Sequence, residues 1–446
     1  MTRKKWLPLV SLLLAFLLVL AACGSGGETA QDDTSSDSDG SDATEETGEE
    51  SVSGSVEIFS WWTGAGEEAG LLAILDLFQE KYPDIEVVNA AVAGGAGTNA
   101  KAVLASRMQA DDPPGTFQVH GGSELNDGWV AAGKMEPIDD LFESEGWTDK
   151  FPQELIDMVS KDGNIYSVPV NIHRGNVIFY NKSVFEENGL EAPVTFDDFF
   201  TAADQLAEAG VTPLALGDKE AWTATMILEN VALGVLGPEK YNQLWTGELT
   251  FDSEEFKQSV EIFKNMLTYV NEDHAARNWQ DAAQLVAEGE AAMTIMGDWA
   301  SGYFTTDLEL TANEDFGWIE TPDTDGYFMV VTDTFGLPKG VENPEVVKEV
   351  RKFLGSVEAQ DTFNPLKGSI PARVDADPSK YDAYGQDTIE DFKNSTLAPS
   401  LAHGSAAPEA FLTQVNQSVN MFVTQGDIDQ FIQELEDAAA THGLRQ

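Results

Sequence analysis

Short apolar runs that are typical of β-strands alternate with helix-like segments in the first folded part of the chain. The strand-like runs are Val56–Phe59, Ile85–Val88 and Thr116–Val119, and helical apolar spacing covers Leu71–Lys81 and Asn99–Met108. Strands joined by helices pair in parallel, because the helix carries the chain back across the sheet. This βαβαβ order predicts an α/β fold with a mainly parallel sheet and ligands outside the carboxyl ends of its strands.

Helical patterns dominate the chain beyond Ile165–Pro169. Apolar residues recur with helical spacing in several segments, and short strand-like runs fall between them. The helical segments are Phe196–Ala209, Glu255–Val270, Ala282–Gly289 and Pro344–Leu354, and the strand-like runs are Ala292–Met296 and Gly326–Thr332. Because 42% of all residues are hydrophobic, residues 56–446 are enough for two domains of ordinary size.

The N-terminus has the features of a secretory signal. Residues 3–5 are basic, residues 6–20 are apolar, and Ala21-Ala22 precede Cys23, the only cysteine in the chain. The apolar run is shorter than the roughly 20 residues that a membrane-spanning helix needs. The arrangement resembles a bacterial lipoprotein signal, which implies that residues 1–22 are removed and that Cys23 carries a lipid anchor. An ordinary signal peptide with a chance cysteine is the alternative.

Residues 24–55 form a second N-terminal segment, rich in Gly, Ser, Thr, Asp and Glu and almost without apolar side chains. Such a segment cannot bury enough surface to offset the entropy of ordering it. We therefore expect Cys23 and the residues up to 55 to form a disordered acidic tether. The lipid would hold the exported protein at the extracellular face of a membrane or in a periplasm.

The folded part is strongly acidic. Residues 56–446 carry 22 Lys+Arg against 67 Asp+Glu. Nucleic acids and anionic lipid surfaces would repel this charge, so neither is expected as a partner. An acidic-ligand site would require basic clusters, and the sequence has none. We favour adaptation of the exposed surface to high salt, where self-repulsion is screened.

Enzyme signatures are absent from the sequence. The glycine-rich stretch 94–97 lacks the Gly-Lys-Ser/Thr ending of a phosphate-binding loop, and no Gly-x-Ser-x-Gly or His-Glu-x-x-His motif occurs. The five histidines show no metal-ligand spacing. Acidic pairs that could hydrolyse a glycoside are expected by chance among 77 acids; candidates are Glu67, Glu68, Glu124 and Asp298. We expect neither catalysis nor a cofactor or metal.

Aromatic and hydrogen-bonding residues stand at the carboxyl ends of the predicted strands. Trp61 and Trp62 follow the first strand, and because adjacent residues of an extended segment face opposite ways, one indole is expected in the cleft and the other in the core. Gln118 and His120 alternate at the end of the third strand and so point to one side. Core packing of both indoles, and a purely structural His120, are the alternatives.

Eight motifs, in order, resemble extracellular sugar-binding proteins of ABC transporters, and most closely the glucose- and galactose-binding branch. The resemblance runs from about Val56 to the C-terminus. The motifs are Phe59-Ser60-Trp61-Trp62, Gly95-Ala96-Gly97, Asp112–His120, Val168–Arg174, Asn278-Trp279-Gln280, Met296–Ala300, Phe363–Ile370 and Leu401–Gly404.

This resemblance implies a periplasmic-binding-protein-like α/β fold, in which two α/β lobes close around the ligand. The N-lobe would comprise 56–171 with 326–375 returning to it, and the C-lobe 172–325 with 376–446. The implied sugar contacts are Trp61, Trp62, Glu67, Gln118, His120, Trp279, Asp298, Lys367 and His403. Indoles pack on the C–H faces of pyranoses, and the polar side chains satisfy hydroxyl groups without a metal.

Several roles stay open at this stage. The turn 63–68 is one residue longer than the family pattern, so Glu68 could replace Glu67 as the contact, and His120 stands where relatives carry lysine. Trp279 could instead cover a helix face, and Asp298 could be an N-cap. Lys367 is expected in a glycine-flanked loop. His173 and Arg174 fall at the expected lobe crossing, with a hinge or supporting role.

The implied function is capture of a monosaccharide, glucose and/or galactose, and its delivery to the transmembrane subunits of an ABC permease. The protein would be a monomer. A receptor for a disaccharide or oligosaccharide is the alternative within this class, and a surface glycosidase is the alternative among enzymes.

Overall fold

The structure is a computed structural model that describes residues 52–94 and 97–444. The predicted signal peptide, Cys23 and the tether up to residue 51 lie outside the described residues, as do Gly95 and Ala96 of the second motif. Among the described helices, none is both long and apolar enough to cross a membrane.

Fifteen strands and fifteen α-helices make up the described chain. The strands are β1 (Gly54–Phe59), β2 (Ile85–Asn89), β3 (Thr116–His120), β4 (Met135–Glu136), β5 (Ser160–Lys161), β6 (Asn164–Ile165), β7 (Ser167–Pro169), β8 (His173–Arg174), β9 (Val177–Asn181), β10 (Thr212–Ala215), β11 (Ala291–Ile295), β12 (Phe316–Glu320), β13 (Tyr327–Val331), β14 (Asp333–Pro338) and β15 (Thr396–Pro399). The helices are α1 (Ala65–Lys81), α2 (Thr98–Gln109), α3 (Asp139–Ser144), α4 (Gln153–Met158), α5 (Lys182–Asn188), α6 (Phe196–Ala209), α7 (Trp222–Thr246), α8 (Glu254–Met266), α9 (Trp279–Ala287), α10 (Trp299–Gly302), α11 (Pro344–Leu354), α12 (Val357–Lys367), α13 (Ala383–Asn394), α14 (Glu409–Gln425) and α15 (Ile428–Thr441).

The sheet of the first lobe has the strand order β2-β1-β3-β14-β4, with β7 also paired to β14. β1 pairs in parallel with both β2 and β3, which confirms the predicted βαβαβ unit. β14 enters from much later in the chain and runs antiparallel to β3, so that Asp333 lies opposite His120. The carboxyl ends of β1 and β3 and the amino end of β14 therefore meet at one edge of the sheet.

The sheet of the second lobe has the order β10-β11-β9-β12. Only β10 and β11 are parallel, whereas β9 is antiparallel to both β11 and β12. The prediction of a mainly parallel sheet applies to the first lobe. It is confirmed for the pairs β1–β2 and β1–β3 and is wrong for the rest of that sheet, because β14 returns from the second lobe and runs antiparallel to β3, β4 and β7.

Crossing segments join the two lobes. The chain passes from β7 in the first sheet through β8 to β9 in the second, and it returns from β12 through β13 to β14. β8 and β13 pair with each other, and β15 joins them in a small third sheet. Two α/β lobes linked in this way form the periplasmic-binding-protein-like fold that the resemblance implied.

Helix boundaries follow local chemistry. α6 covers the predicted residues because Thr195 and Asp198 form a capping box at its start and Gly210, at φ +81°, ends it. α8 stops at Met266, before the predicted Val270, and a short 3₁₀ turn follows. α7 is interrupted at Gly237, which has a φ of +69° and directly precedes Pro238.

The predicted lobe boundaries stay a prediction, and α13 touches both lobes. Its Ile389 belongs to a core cluster with Ile138 and Leu141. Its Tyr384 packs on Phe179 of β9, with ring centroids 5.4 Å apart. The residues just after 375 therefore contribute to the core on both sides of the crossing.

Candidate functional site

A cavity of about 670 Å³ lies between the lobes, at the carboxyl ends of strands from both sheets. Trp61 follows β1, His120 ends β3, and Trp299 follows β11 in the lining. The far wall comes from α14, which presents polar side chains such as Asn416 and Asn420. The volume falls within the range of about 300–1,000 Å³ that is common for small-molecule sites.

Four indoles line this cavity: Trp61, Trp222, Trp279 and Trp299. The Trp61 ring lies 5.1 Å from that of His120, and the Trp299 ring lies 4.8 Å from that of His403. Aromatic faces are thus combined with hydrogen-bonding imidazoles in both lobes. Such a surface suits a ligand that has apolar faces and polar edges.

Six of the nine residues predicted as ligand contacts line the cavity: Trp61, Glu67, His120, Trp279, Lys367 and His403. The other three, Trp62, Gln118 and Asp298, are not part of the lining. Each of these three is almost fully buried and contacts a residue that lines the cavity.

Trp62 packs behind the wall. It is only 1% exposed, and its ring contacts Phe335 and Phe363 at centroid distances of 5.5 and 4.5 Å. Since adjacent residues on extended backbone face opposite ways, Trp61 enters the cavity and Trp62 enters the core. The prediction that the two indoles divide in this way is confirmed.

Lys367 lies over the face of Trp62, with Nζ 5.7 Å from the ring centroid, and it donates to Glu67 Oε1 over 2.5 Å. It is the last residue of α12, so the expectation of a loop position is wrong. A cation at a helix C-terminus is favoured by the helix dipole. Glu68 is exposed and does not line the cavity, so the geometry favours Glu67 as the acidic contact.

Gln118, on β3, links the segment that follows β1 to β14, and β1 and β14 are the two neighbours of β3 in the first sheet. Its Oε1 accepts from the backbone N–H of Trp61 over 3.0 Å, and its Nε2 donates to Asp333 Oδ1 over 2.7 Å. Both hydrogen-bonding ends of the amide are therefore used by the protein. Gln118 therefore positions Trp61 and Asp333. The polar group that this strand presents to the cavity is the imidazole of His120.

A buried row of charges lies at the base of the cavity, where His173 and Asp333 belong to the lining and Asp298 lies behind them. His173 bridges Asp298 through Nδ1 and Asp333 through Nε2, the latter over 3.3 Å. Burial opposes the charged form of each group, yet Asp298 raises the pKa of His173, and His173 together with Lys367 holds the pKa of Asp333 well below its usual range. Asn171 Nδ2, which is a donor, also lies 3.0 Å from His173 Nε2, so this nitrogen has both an acceptor and a donor beside it.

Asp298 also accepts from the backbone N–H of Arg174 over 3.0 Å and makes no side-chain cap to α10. Asp298 thus occupies the N-cap position of α10, but its side chain bonds to β8 and not to the helix. Trp279 begins α9, and Asn278 is the residue that caps it. His173 and Arg174 form β8, and His173 also lines the cavity, so their hinge or supporting role stays a prediction.

The two lobes are also bridged at the rim of the cavity. Lys101 of α2 donates to Glu124 over 2.9 Å and to Glu409 of α14 over 3.4 Å. Burial disfavours an ionised Glu124, but the nearby Lys101 and His120 hold its pKa below the usual value. Glu124 also accepts from His120 Nδ1 over 2.8 Å.

The sequence model of the family described as bacterial extracellular solute-binding protein matches residues 54–361. The chain belongs to this family. An uncharacterized ABC transporter extracellular-binding protein of Pyrococcus horikoshii is 40% identical over 443 residues, which are 98% of this chain and 96% of that protein. A probable sugar-binding periplasmic protein of Mesorhizobium japonicum is 33% identical over 379 residues, covering 82% of this chain and 88% of the relative.

Among solved structures, this solute-binding protein is similar to a bacterial solute receptor that has an exclusive substrate preference for β-D-galactopyranose. The TM-score is 0.80 at 20% identity, over 88% of this chain and 99% of the receptor. A likeness at this identity shows the fold alone. Together with the family match, it confirms the predicted family and fold.

Sequence reasoning missed several residues that line the cavity of this solute-binding protein. Asp333 is an acid within the apolar run 328–337, and a charge in such a run could have marked it as a buried functional group. Trp222 starts α7 far from any motif, and Glu409 starts α14 shortly after Leu401–Gly404 as one of many exposed acids, so neither carries a comparable signal. Lys101 follows the glycine-rich stretch that lacks the phosphate-loop pattern, and its partners are carboxylates.

The donor set does not suggest a metal centre. Within residues 52–94 and 97–444, no group of three or more His, Cys, Asp or Glu side chains is placed to hold a metal ion.

Proposed function

We propose that the chain is a lipid-anchored receptor that captures a monosaccharide, glucose and/or galactose, and delivers it to the transmembrane subunits of an ABC permease. The relative from Mesorhizobium japonicum is named as a probable sugar-binding periplasmic protein, and the one from Pyrococcus horikoshii as an ABC transporter extracellular-binding protein. The lipid anchor rests on Cys23 and the residues before it.

The observation that carries this proposal is the combination of four indoles with buried hydrogen-bonding side chains in one cavity. A pyranose presents C–H faces that pack on indoles and a ring of hydroxyl groups at its edge. A hydroxyl group that leaves water needs new donors and acceptors, because an unpaired buried polar group costs roughly 1–3 kcal/mol. The cavity supplies both kinds of surface.

The proposed contacts are the six predicted residues in the lining, together with Asp333. Glu67 and Asp333 can accept from hydroxyl groups, and Lys367 can donate to one. The imidazoles of His120 and His403 add ring nitrogens, each of which donates or accepts according to its protonation. Trp62, Gln118 and Asp298 support this set from behind the wall.

Delivery would depend on lobe closure. Because both lobes contribute to the lining, a sugar that contacts both walls stabilises the closed arrangement over the open one. A permease that recognises the closed arrangement would then select loaded receptors. The protein would act as a monomer in this cycle and would catalyse no reaction on its ligand.

A calorimetric titration tests the proposal directly. The fragment 24–446 would be titrated in molar salt with glucose, galactose, mannose and maltose. We expect one-to-one binding of glucose or galactose, and the Trp61→Ala variant should lose it. Trp129→Ala is the matched control, since Trp129 is half-buried and lies outside the cavity lining. No binding of any of the four sugars by a folded sample would refute the assignment.

A receptor for a disaccharide or oligosaccharide is the second candidate. The volume of about 670 Å³ and the polar wall of α14 leave room beyond one pyranose ring. In the same titration, binding of maltose without glucose or galactose would favour this candidate. Release of reducing sugar from aryl glycosides would reveal the glycosidase alternative instead.

A further inference from the structure

Glu229 is a buried carboxyl group that the proposed sugar contacts do not include. It lies on α7, is 1% exposed, and packs beside the loop that carries His403. Its Oε2 accepts from the backbone N–H groups of Leu401 and Ala402 over 2.5 and 3.0 Å. Its Oε1 is 2.8 Å from Ser400 Oγ.

Ser400 connects this carboxyl group to the cavity. Its Oγ accepts from the backbone N–H of His403 over 3.2 Å and lies 2.9 Å from His403 Nδ1. His403 lines the cavity, and its Nε2 has no hydrogen-bond partner among the described residues. The three side chains form a chain of hydrogen bonds that ends at the ligand.

The direction of each hydrogen bond follows from what the groups can donate. A carboxylate only accepts, so the single hydroxyl proton of Ser400 points to Glu229. Ser400 Oγ is then left with lone pairs, and the neighbouring Nδ1 of His403 must supply the proton between them. Burial and nearby positive charges lower the pKa of His403, so its imidazole is neutral and Nε2 carries no proton.

We propose that ionised Glu229, acting through Ser400, holds His403 in the Nδ1-protonated tautomer, so that Nε2 offers a lone pair to a hydroxyl group of the ligand. Glu229 is thus a positioning residue, and the inference rests on the proposed sugar binding for its functional consequence. The cavity then requires a donor at that point of the ligand. A ligand group that can only accept a hydrogen bond would leave the lone pair of Nε2 without a donor.

The tautomer is measurable without any ligand. Histidine labelled with ¹⁵N gives distinct signals for protonated and unprotonated ring nitrogens in long-range ¹H–¹⁵N spectra, and loss of one set in His403→Gln assigns this residue. The pH is set well above the pKa of Glu229, which burial raises to about 7. We expect a protonated Nδ1 and an unprotonated Nε2.

Glu229→Gln should reverse this pattern. The amide of the new side chain can still accept from the two backbone N–H groups, but its NH₂ donates to Ser400, whose hydroxyl then donates to Nδ1 and leaves the proton on Nε2. Ser400→Ala removes the link and should also lose the Nδ1 proton. His274 is the internal control, because its Nδ1 is paired with Asp218 over 2.7 Å, remote from this chain of bonds.

Two results would overturn the proposal: an Nε2-protonated His403 in the parent protein, or an unchanged tautomer in both variants. Ser400→Ala keeps the test available if Glu229→Gln does not fold. These spectra do not depend on sugar binding, so they distinguish failure of this inference from failure of the proposed function.

The ligand requirement is tested with singly fluorinated analogues of the bound hexose, because fluorine accepts but does not donate. Fluorination at the position facing Nε2 should weaken binding to the parent protein on the order of tenfold. Fluorination should weaken binding to the Glu229→Gln variant less, because His403 Nε2 donates in that variant. Equal losses in both proteins at every position would contradict the assigned tautomer.

Discussion

Glu229 should make the folded state less stable as the pH rises through neutrality. Burial raises its pKa from the ordinary value of 4.5 to about 7, although Ala402, Ser400, Leu401 and Tyr241 all donate to it. Between pH 4.5 and about pH 7, Glu229 has released its proton in the unfolded chain and keeps it in the folded chain. The folded state binds more protons there, so the free energy of unfolding falls with rising pH.

The size of the effect follows from the same two values. A rise from 4.5 to about 7 corresponds to about 3 kcal/mol, which is lost in full once the pH exceeds the folded pKa. Below pH 4.5 both states hold the proton and Glu229 makes no contribution to the pH dependence. Glu229→Gln keeps a neutral side chain at every pH and should escape the loss.

Denaturant unfolding of the parent protein and Glu229→Gln across this pH window, at constant molar salt, measures the effect. The difference in unfolding free energy should shift in favour of the variant by about 3 kcal/mol from the acidic to the alkaline end. The other carboxyl groups are common to both proteins, so their titration cancels in the difference. A difference that stays constant, or that shifts in favour of the parent protein, would refute the reasoning.

Three further predictions concern the indoles, the surface charge and the N-terminus. Trp62→Ala should lower the unfolding free energy by about 3–5 kcal/mol because it empties a core position, whereas Trp61→Ala should mainly lower sugar affinity. Denaturant unfolding measures the first effect and calorimetry the second. Equal destabilisation by the two substitutions would contradict the assignment of Trp62 to the core and Trp61 to the cavity. With a formal net charge of −52, the thermal midpoint should rise from low to molar salt, and indifference to salt would contradict a charge-adapted surface. Cys23→Ala should release the protein from cell membranes in a fractionation assay, and retention would argue against a lipid anchor.

Local patterns were sufficient for the elements whose identity depends on near neighbours. α6 and α11 begin and end at the predicted residues, because apolar spacing and the start signals, a capping box in α6 and Pro344 in α11, lie within or next to the helix that they define. Placing Trp61 and His120 at a ligand edge needed only the rule that parallel strands share their carboxyl ends. Because adjacent residues of an extended segment face opposite ways, the sequence also predicted that Trp61 and Trp62 point to different sides.

The sequence by itself determined the α/β alternation, the family and two thirds of the predicted contacts in the cavity lining. Only the tertiary structure decided which groups meet across long separations: Asp333 reaches His120 through antiparallel pairing with β3, Lys367 reaches Glu67, and Glu229 reaches Ser400. Local periodicity carries no information about register between distant strands or about which helix end faces a given loop. Those contacts are set by how distant segments pack within each lobe, and the buried charges are tolerated only because packing brings their partners into place.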